Sequence, residues 1–345
     1  MAGISRIAGR EARQPREVMI VFVGMAVLLA LAPWIGVYQY YVMQAMCYAL
    51  LACAFNLLVG YGGLLSFGHA MFLSTAGYVT AHLVTVGALV VPVTLSRMVP
   101  LGFMWIRIPL PPLSPELAIL GGTAAAAALS VATGYVAIRR QGIYFSMITL
   151  ALAELVYFVF LRASFTHGED GITGVPLGHL FGILPLSHPL VLYHVVLVGF
   201  LAGFLVIYRI INSPFGEVLK AIRDNEPRAI SLGYTADRYK LAAFILSGTL
   251  AGFAGALKVF ATQGASLSDA EWSMSGEIVL MTLLGGLGTV VGPVVGAFVI
   301  VAMKLYLADF GQWGMIVQGM IFVVCVLIFR RGIIGEIGHY FGKSL

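Results

Sequence analysis

One carboxylate, Glu154, stands inside an otherwise uncharged apolar run, Gly142–Leu161. An acid at the depth of a membrane segment is costly, so it faces a bundle interior and has a role there. It could line a polar pathway, relay a proton, or tie two helices together by hydrogen bonds. No Lys or Arg lies inside another apolar segment to oppose it, which weakens the proton reading. A second polar set, Asn56, Ser66 and His69, brackets the break Gly60-Tyr61-Gly62-Gly63. Such a break either exposes backbone to a substrate path or makes an ordinary short turn. The seven histidines are scattered without an H-x-x-x-H pair, and Cys47, Cys53 and Cys325 sit in apolar runs without a C-x-x-C pair. Neither a metal site nor a disulfide framework is indicated. No G-x-x-x-x-G-K-[ST] loop occurs, and no Ser-His-Asp or paired-carboxylate arrangement has a soluble domain to sit in, so no catalytic residue and no cofactor are expected.

The elements that must carry these residues follow from composition. Of 345 residues, 60% are apolar and 10% are Asp, Glu, Lys or Arg, against about 25% charged in soluble domains. Val18–Ser96 contains no charged side chain at all. The net charge of +5 belongs to membrane topology and not to a nucleic-acid partner. These features exclude a soluble enzyme and a disordered chain. They imply an all-α polytopic bundle of 8–10 membrane segments in a lipid bilayer. The segments are Val18–Gly36, Tyr40–Gly60, Ser66–Val90, Leu117–Ile138, Gly142–Leu161, Pro189–Tyr208, Leu241–Leu257, Ile278–Met303 and Phe310–Phe329. Arg6, Arg10, Arg13 and Arg16 precede the first, which is read as a retained helix despite the cleavage-like Ala30-Leu31-Ala32, because Pro33 follows directly.

Residues 1–17 are thus a basic cytoplasmic N-terminus, 18–335 the membrane domain and 336–345 a cytoplasmic tail. With the N-terminus inside, only five of the 20 Lys and Arg (Arg97, Arg107, Arg162, Lys258, Lys304) fall outside, as the positive-inside rule requires. The 162–188 loop is then external and the 209–240 loop cytoplasmic. Arg330, Arg331 and Lys343 want the C-terminus inside, so Ile278–Met303 must begin and end on one side. It is too short for two full spans, and Gly285–Gly288 with Pro293 is its natural break. The expectation is a broken or re-entrant helix pair, covered by protein or water at its bend. Glycines four apart at Gly199/Gly203, Gly248/Gly252 and Gly288/Gly292/Gly296 suit close helix packing, within one bundle or between two such chains.

The 209–240 loop is structured beyond the needs of connectivity. Ser213 is placed to cap a helix with Pro214 at its first position, and Glu217–Asn225 reads as a short mixed-charge helix. Pro227 restarts a second, Arg228–Leu232, which Gly233 stops. The loop is either a solvated topology determinant or a docking element for a cytoplasmic partner.

The run SPFGEVLKAIRDNEPRAISLGYTADRYKLAAFILSGTLAGFAGAL in this region resembles LivM/LivH-type permeases of ATP-binding-cassette importers for branched-chain amino acids. YGGLLSFGHAMF at Tyr61–Phe72, GIYFSMITLALAELVY at Gly142–Tyr157 and SGEIVLMTLLGGLGTVVGPVVGA at Ser275–Ala297 fit the same family in the same order. The resemblance implies an inner-membrane subunit with both termini cytoplasmic. Its partners would be a second LivH-type permease, two cytoplasmic ATPase subunits and a periplasmic substrate-binding protein. The family's coupling segment has the form E-A-A-x-x-x-G. Here Ala229 and Gly233 match the last Ala and the Gly, while Pro227 and Arg228 replace Glu and Ala. By carry-over, Asn225, Glu226, Arg228, Ala229 and Gly233 would couple to an ATPase. Asn56, Ser66, Tyr144 and Glu154 are candidates for the pathway wall. Glu169 and Asp170, in FTHGEDGITGVP, are candidate contacts for the binding protein, in a segment read first as a fold-back over the pathway. The implied substrates are leucine, isoleucine and valine, with urea, short amides and aromatic acids as alternatives. An ion-coupled carrier acting alone is the competing class; the absence of intramembrane charge pairs and the structured loop speak against it. The Val91–Pro115 connection, rich in proline, has no assigned function.

Overall fold

The computed structural model describes residues 14–85, 88–94, 103–109, 113–140, 142–328 and 332–340. Arg6, Arg10, Arg13, Arg97, Arg330, Arg331 and Lys343, whose charges enter the orientation, lie outside these. In chain order the helices are α1 (Gln14–Leu31), α2 (Gln39–Asn56), α3 (His69–Thr85), α4 (Pro115–Ala137), α5 (Ile143–Arg162) and α6 (Pro189–Ile211). The loop helices α7 (Pro214–Asp224) and α8 (Glu226–Ser231) come next. Then come α9 (Ala236–Thr262), α10 (Trp272–Gly285), α11 (Gly292–Leu307), α12 (Gln312–Ile328) and α13 (Gly332–Tyr340). Pro115, Pro189 and Pro214 occupy first helical positions, where the missing N–H is no loss.

Among the described residues, five helices are long and apolar enough to cross a membrane: α2 with its extension to Tyr61, α4, α5, α6 and α9. The remaining segments α1, α3, the α10–α11 pair and α12 are shorter, in keeping with the bundle expected from composition. Helix α2 is the central post, with 89% of its apolar window buried against 33% for α5. It packs on α6, α9 and α11, while α3, α4 and α9 pack on one another. The glycine spacings serve this packing. A Cβ at Gly203 would lie 2.7 Å from Leu50 Cδ1, one at Gly199 2.7 Å from Leu257 Cδ1, and one at Gly248 2.6 Å from Ser130 Cβ. Small residues here let helices of the same chain approach closely.

Several segment boundaries shift. The span expected at Ser66–Val90 is a helix only from His69 to Thr85; Val90 lies in β1 (Ala88–Thr94), which pairs antiparallel with β2 (Phe103–Pro109), Ala88 opposite Pro109. The proline-rich connection is therefore partly a β-hairpin, formed where Val and Ile dominate the local sequence. Helix α9 runs past Leu257 to Thr262, so Lys258 is a buried residue of the helix and not of an external loop. Helix α13 crosses the 335/336 boundary drawn for the tail.

The broken pair is present. Helices α10 and α11 fold back on each other around Gly286–Val291, and Lys304 Nζ closes the open end on Glu277 Oε2 at 2.6 Å. The two ends of the segment thus lie on one side. Helix α10 has 14 residues, or about 21 Å at 1.5 Å per residue, shorter than the roughly 30 Å hydrocarbon core of a bilayer. At the bend, Thr289 Oγ1 donates to the Gly286 carbonyl at 2.7 Å and accepts from Gly292 N at 3.1 Å. Polar backbone freed by the break is thereby satisfied at depth, as the apolar setting demands.

Candidate functional site

The loop between α6 and α9 is a folded unit. Ser213 Oγ accepts from Gly216 N at 3.4 Å and caps α7; Asn225 Oδ1 accepts from Arg228 N at 3.0 Å and caps α8. Ile222, Ala229 and Ala236 form a small core of their own, with Val218 and Tyr239 packed against it. Lys240 Nζ meets Glu226 Oε1 at 2.6 Å and pins α8 to the start of α9. Gly233, at φ +93°, makes the left-handed turn between α8 and α9.

Two of the five expected coupling residues therefore face inward: Ala229 is in the small core and Glu226 is in the ion pair. Arg228 and Gly233 are on the surface. The outward face of the unit is more apolar than its sequence suggests. Ile230, Leu232 and Tyr234 are 54%, 70% and 41% exposed, an apolar knob on an otherwise charged loop. The signal for it is the alternation of Ile230 and Leu232 around Ser231, beside a glycine stop.

The unit is seated on the α2 break. Leu57–Tyr61 continues α2 as a π-turn, and α7 lies against it. Arg223 Nη1 donates to the Gly60 carbonyl, and the Lys220 ammonium sits 5.7 Å from the Tyr61 ring centre. One turn back, Asn56 Nδ2 donates to the Thr289 carbonyl at 2.8 Å and its Oδ1 accepts from Gly288 N at 3.0 Å. Asn56 thus spends its amide on the α10–α11 tip. Ser66 is fully buried and its Oγ accepts from Gly68 N at 3.2 Å at the entry to α3. His69 Nε2 bonds Ser247 Oγ at 2.8 Å, and Ser247 in turn donates to the Ala54 carbonyl at 2.5 Å. That order makes Nε2 the donor. The three polar residues grouped by sequence have three separate tasks.

Tyr144 and Glu154 lie on α5. Its exposed face carries Tyr144, Met147, Leu155 and Phe158, all more than half exposed. Glu154 is on the flank of that face, half-buried, with Oε1 buried and without a hydrogen-bond partner. The opposite face is stitched to the α2–α3 connection: Ser146 Oγ donates to the Leu65 carbonyl at 2.6 Å and Thr149 Oγ1 accepts from Phe67 N at 3.2 Å. Glu154 and Tyr144 thus share a surface that neither Asn56 nor Ser66 reaches.

Two ion pairs lie at the end of the bundle where α10 and α11 open. Lys258 pairs with Asp269, Lys304 pairs with Glu277, and the Tyr48 ring lies 5.1 Å and 6.0 Å from the two ammonium groups. Both acids, Asp269 and Glu277, fall outside the apolar runs of the sequence.

At this end of the molecule the 162–188 loop folds back. Ile172 pairs with Ala265 in a short ladder, Val175 N donates to the Gln263 carbonyl at 3.1 Å, and Thr166 Oγ1 donates to the Phe160 and Ala163 carbonyls at 2.5 and 2.7 Å. Glu169 and Asp170 project exposed from the 3-10 turn Gly168–Asp170. Among the described residues no group of His, Cys, Asp and Glu could hold a metal ion.

A helical bundle with several helices long and apolar enough to cross a membrane, a broken helix pair and a folded two-helix loop at one end is that of a multi-pass membrane protein. Residues 37–326 match the family described as "Branched-chain amino acid transport system / permease component", and the chain belongs to it. It is 27% identical over 314 residues, 84% of this chain and 68% of the relative, to the high-affinity branched-chain amino acid transport system permease protein LivM of Escherichia coli K12. The LivM protein of Salmonella typhimurium is equally similar, 27% over 316 residues with the same coverage. The ribose import permease protein RbsC of Bacillus subtilis is 26% identical over 191 residues, 52% of this chain and 58% of that protein. No solved structure matches. The chain is thus a permease component of an importer family and a multi-pass inner-membrane protein.

Proposed function

We propose that this chain is one of two permeases forming the translocation pathway of an ATP-binding-cassette importer for leucine, isoleucine and valine, with ATP hydrolysed on separate subunits. The observation that carries the reading is the α7–α8 unit. A loop needed only for connection would not have its own caps, core and buried ion pair, nor show three large apolar side chains to solvent. Such a knob suits a groove on a cytoplasmic ATPase, with Arg228 beside it. The 209–240 loop and both termini are then cytoplasmic, and the α10–α11 pair enters from the periplasmic side.

The exposed face of α5 supports a second permease. A carboxylate at mid-membrane facing lipid costs about 2.5–3.5 kcal/mol, whereas one facing a partner or water-filled pathway does not. Tyr144 and Glu154 are therefore pathway-side residues in this reading, and Asn56 and Ser66 support the wall from behind. Glu169 and Asp170, on the opposite surface, would meet the periplasmic binding protein.

The test is uptake by the chain reconstituted with its second permease, ATPases and binding protein. ATP-dependent accumulation of radiolabelled leucine, isoleucine or valine is expected. Uptake confined to urea, short amides, aromatic acids or ribose would move the substrate within the family. Uptake by this chain alone, driven by an ion gradient, would replace the importer reading with an ion-coupled carrier.

A further inference from the structure

One glycine stands between the loop helices and the tip of the broken pair. The Gly60 carbonyl receives Arg223 from α7. On its other side, a Cβ at Gly60 would run into Asn56 Oδ1 and lie 2.7 Å from Gly288 N. Gly63, at φ +68°, leaves room for the Arg223 stem: a Cβ there would be 2.8 Å from Arg223 Cγ. Leu219, fully buried, has its Cδ1 3.7 Å from the corresponding point at Gly62. Three side chains of α7, Leu219, Lys220 and Arg223, thus grip Tyr61 and the three glycines around it. Asn56 holds the tip by two hydrogen bonds in the turn just before.

The gripped segment is a π-turn. The segment Leu57–Tyr61 has π-helical backbone, and just past it Gly62 N and Leu64 N both donate to the Leu58 carbonyl, at 3.1 and 3.2 Å. A π-turn holds one residue more than an α-turn and is found at functional bends. Converting it to α-helix would shift the succeeding backbone by one residue, the kind of discrete step that transmitted motion requires.

We propose that Arg223, Gly60 and Asn56 form a mechanical relay that carries displacement of the loop helices to the α10–α11 tip. This rests on the importer reading, in which ATP-driven closure moves α7 and α8. When α7 moves, Arg223 draws the Gly60 carbonyl with it. The π-turn yields, and Asn56 shifts Gly288 and Thr289. The tip is then the part of the pathway wall that responds first to the ATPases. Arg223 and Asn56 act as positioning residues through the tip and do not touch substrate.

The test places a single cysteine at Leu287, 44% exposed in the tip and not part of the relay, with Cys47, Cys53 and Cys325 replaced by alanine. Labelling by a maleimide is compared in the reconstituted full importer without nucleotide and with vanadate-trapped nucleotide. The expected result is a difference between the two states that disappears in Arg223→Ala. Transport per ATP hydrolysed should fall about tenfold, the worth of one charge-assisted hydrogen bond. Arg223→Lys, which keeps a donor, should restore part of it. Asn56→Ala cuts the other end and should give the same pattern, so it decides the matter if Arg223→Ala fails to assemble. A nucleotide-dependent difference that persists in both variants overturns the relay, as does loss of transport and hydrolysis in equal proportion. ATP-dependent uptake with identical Leu287 labelling in both states of the unmodified importer also overturns it, leaving the importer reading intact. Absence of ATP-dependent uptake in the unmodified complex removes the importer reading itself.

Discussion

Replacing Gly296 by alanine should destabilise the bundle, while the same change at Gly276, in the same helix pair, should not. A Cβ at Gly296 would run into the Met281 carbonyl oxygen and lie 2.9 Å from Gly285 N. Both neighbours are backbone of α10 and cannot rotate away, so α11 must move off its partner. Overpacking of this kind costs about 1–3 kcal/mol, and the rigid neighbours put Gly296→Ala at the upper end. At Gly276 a Cβ meets nothing within 4 Å, and alanine improves helix propensity by up to about 1 kcal/mol. For a chain of this size 1 kcal/mol is worth about 2 °C in Tm. Thermal unfolding of the detergent-solubilised protein should therefore show Gly296→Ala lower by about 5 °C and Gly276→Ala level or slightly higher. Equal shifts for the two variants would refute the backbone-to-backbone packing of α10 on α11.

Three further outcomes are expected. Lys240→Met should lower Tm, since removing one partner of a buried pair costs about 3–5 kcal/mol; the side chains of Lys240 and Glu226 are 6% and 22% exposed. The double variant with Glu226→Gln should recover part of the loss, and a double variant as unstable as Lys240→Met would argue against the pair. Leu232→Asp should weaken capture of the ATPase subunits by about tenfold or more, the worth of burying one leucine, with the Tm of the isolated chain unaffected; capture at native strength would remove the knob from the docking surface. Glu154→Gln should keep ATP-driven uptake near the native rate, because the energy source is ATP and not a proton; loss of uptake with a changed pH profile would restore the proton role.

What the sequence discloses and what it hides divide by sequence distance. Caps are local, so Ser213-Pro214 and Asn225-Glu226-Pro227 announce α7 and α8 within a residue or two. The broken pair is also legible, because a charge-parity argument needs only the order of segments, and Glu277 and Lys304 do meet. Asn56 stands out as a polar residue beside a break, but its partners Gly288 and Thr289 lie far along the chain, and periodicity carries no information on such pairs. The Lys258–Asp269 pair, only 11 residues apart, is hidden for another reason. Delimiting apolar segments by charge puts Lys258 in a loop. A buried lysine paired with an aspartate from the 3-10 turn that follows the helix breaks that rule. The β1–β2 hairpin is hidden by its prolines, Pro92 and Pro109, which mark loops more often than strands.

The proposal that the α7–α8 unit delivers ATP-derived motion to this membrane bundle is tested most directly by uptake in sealed vesicles. These would contain this chain with its second permease, ATPases and binding protein. Accumulation of branched-chain amino acid that requires internal ATP, persists when ion gradients are collapsed and fails when Ile230 and Leu232 are both changed to Asp is the predicted result. Accumulation that survives without ATP and vanishes when the ion gradients are collapsed would contradict it.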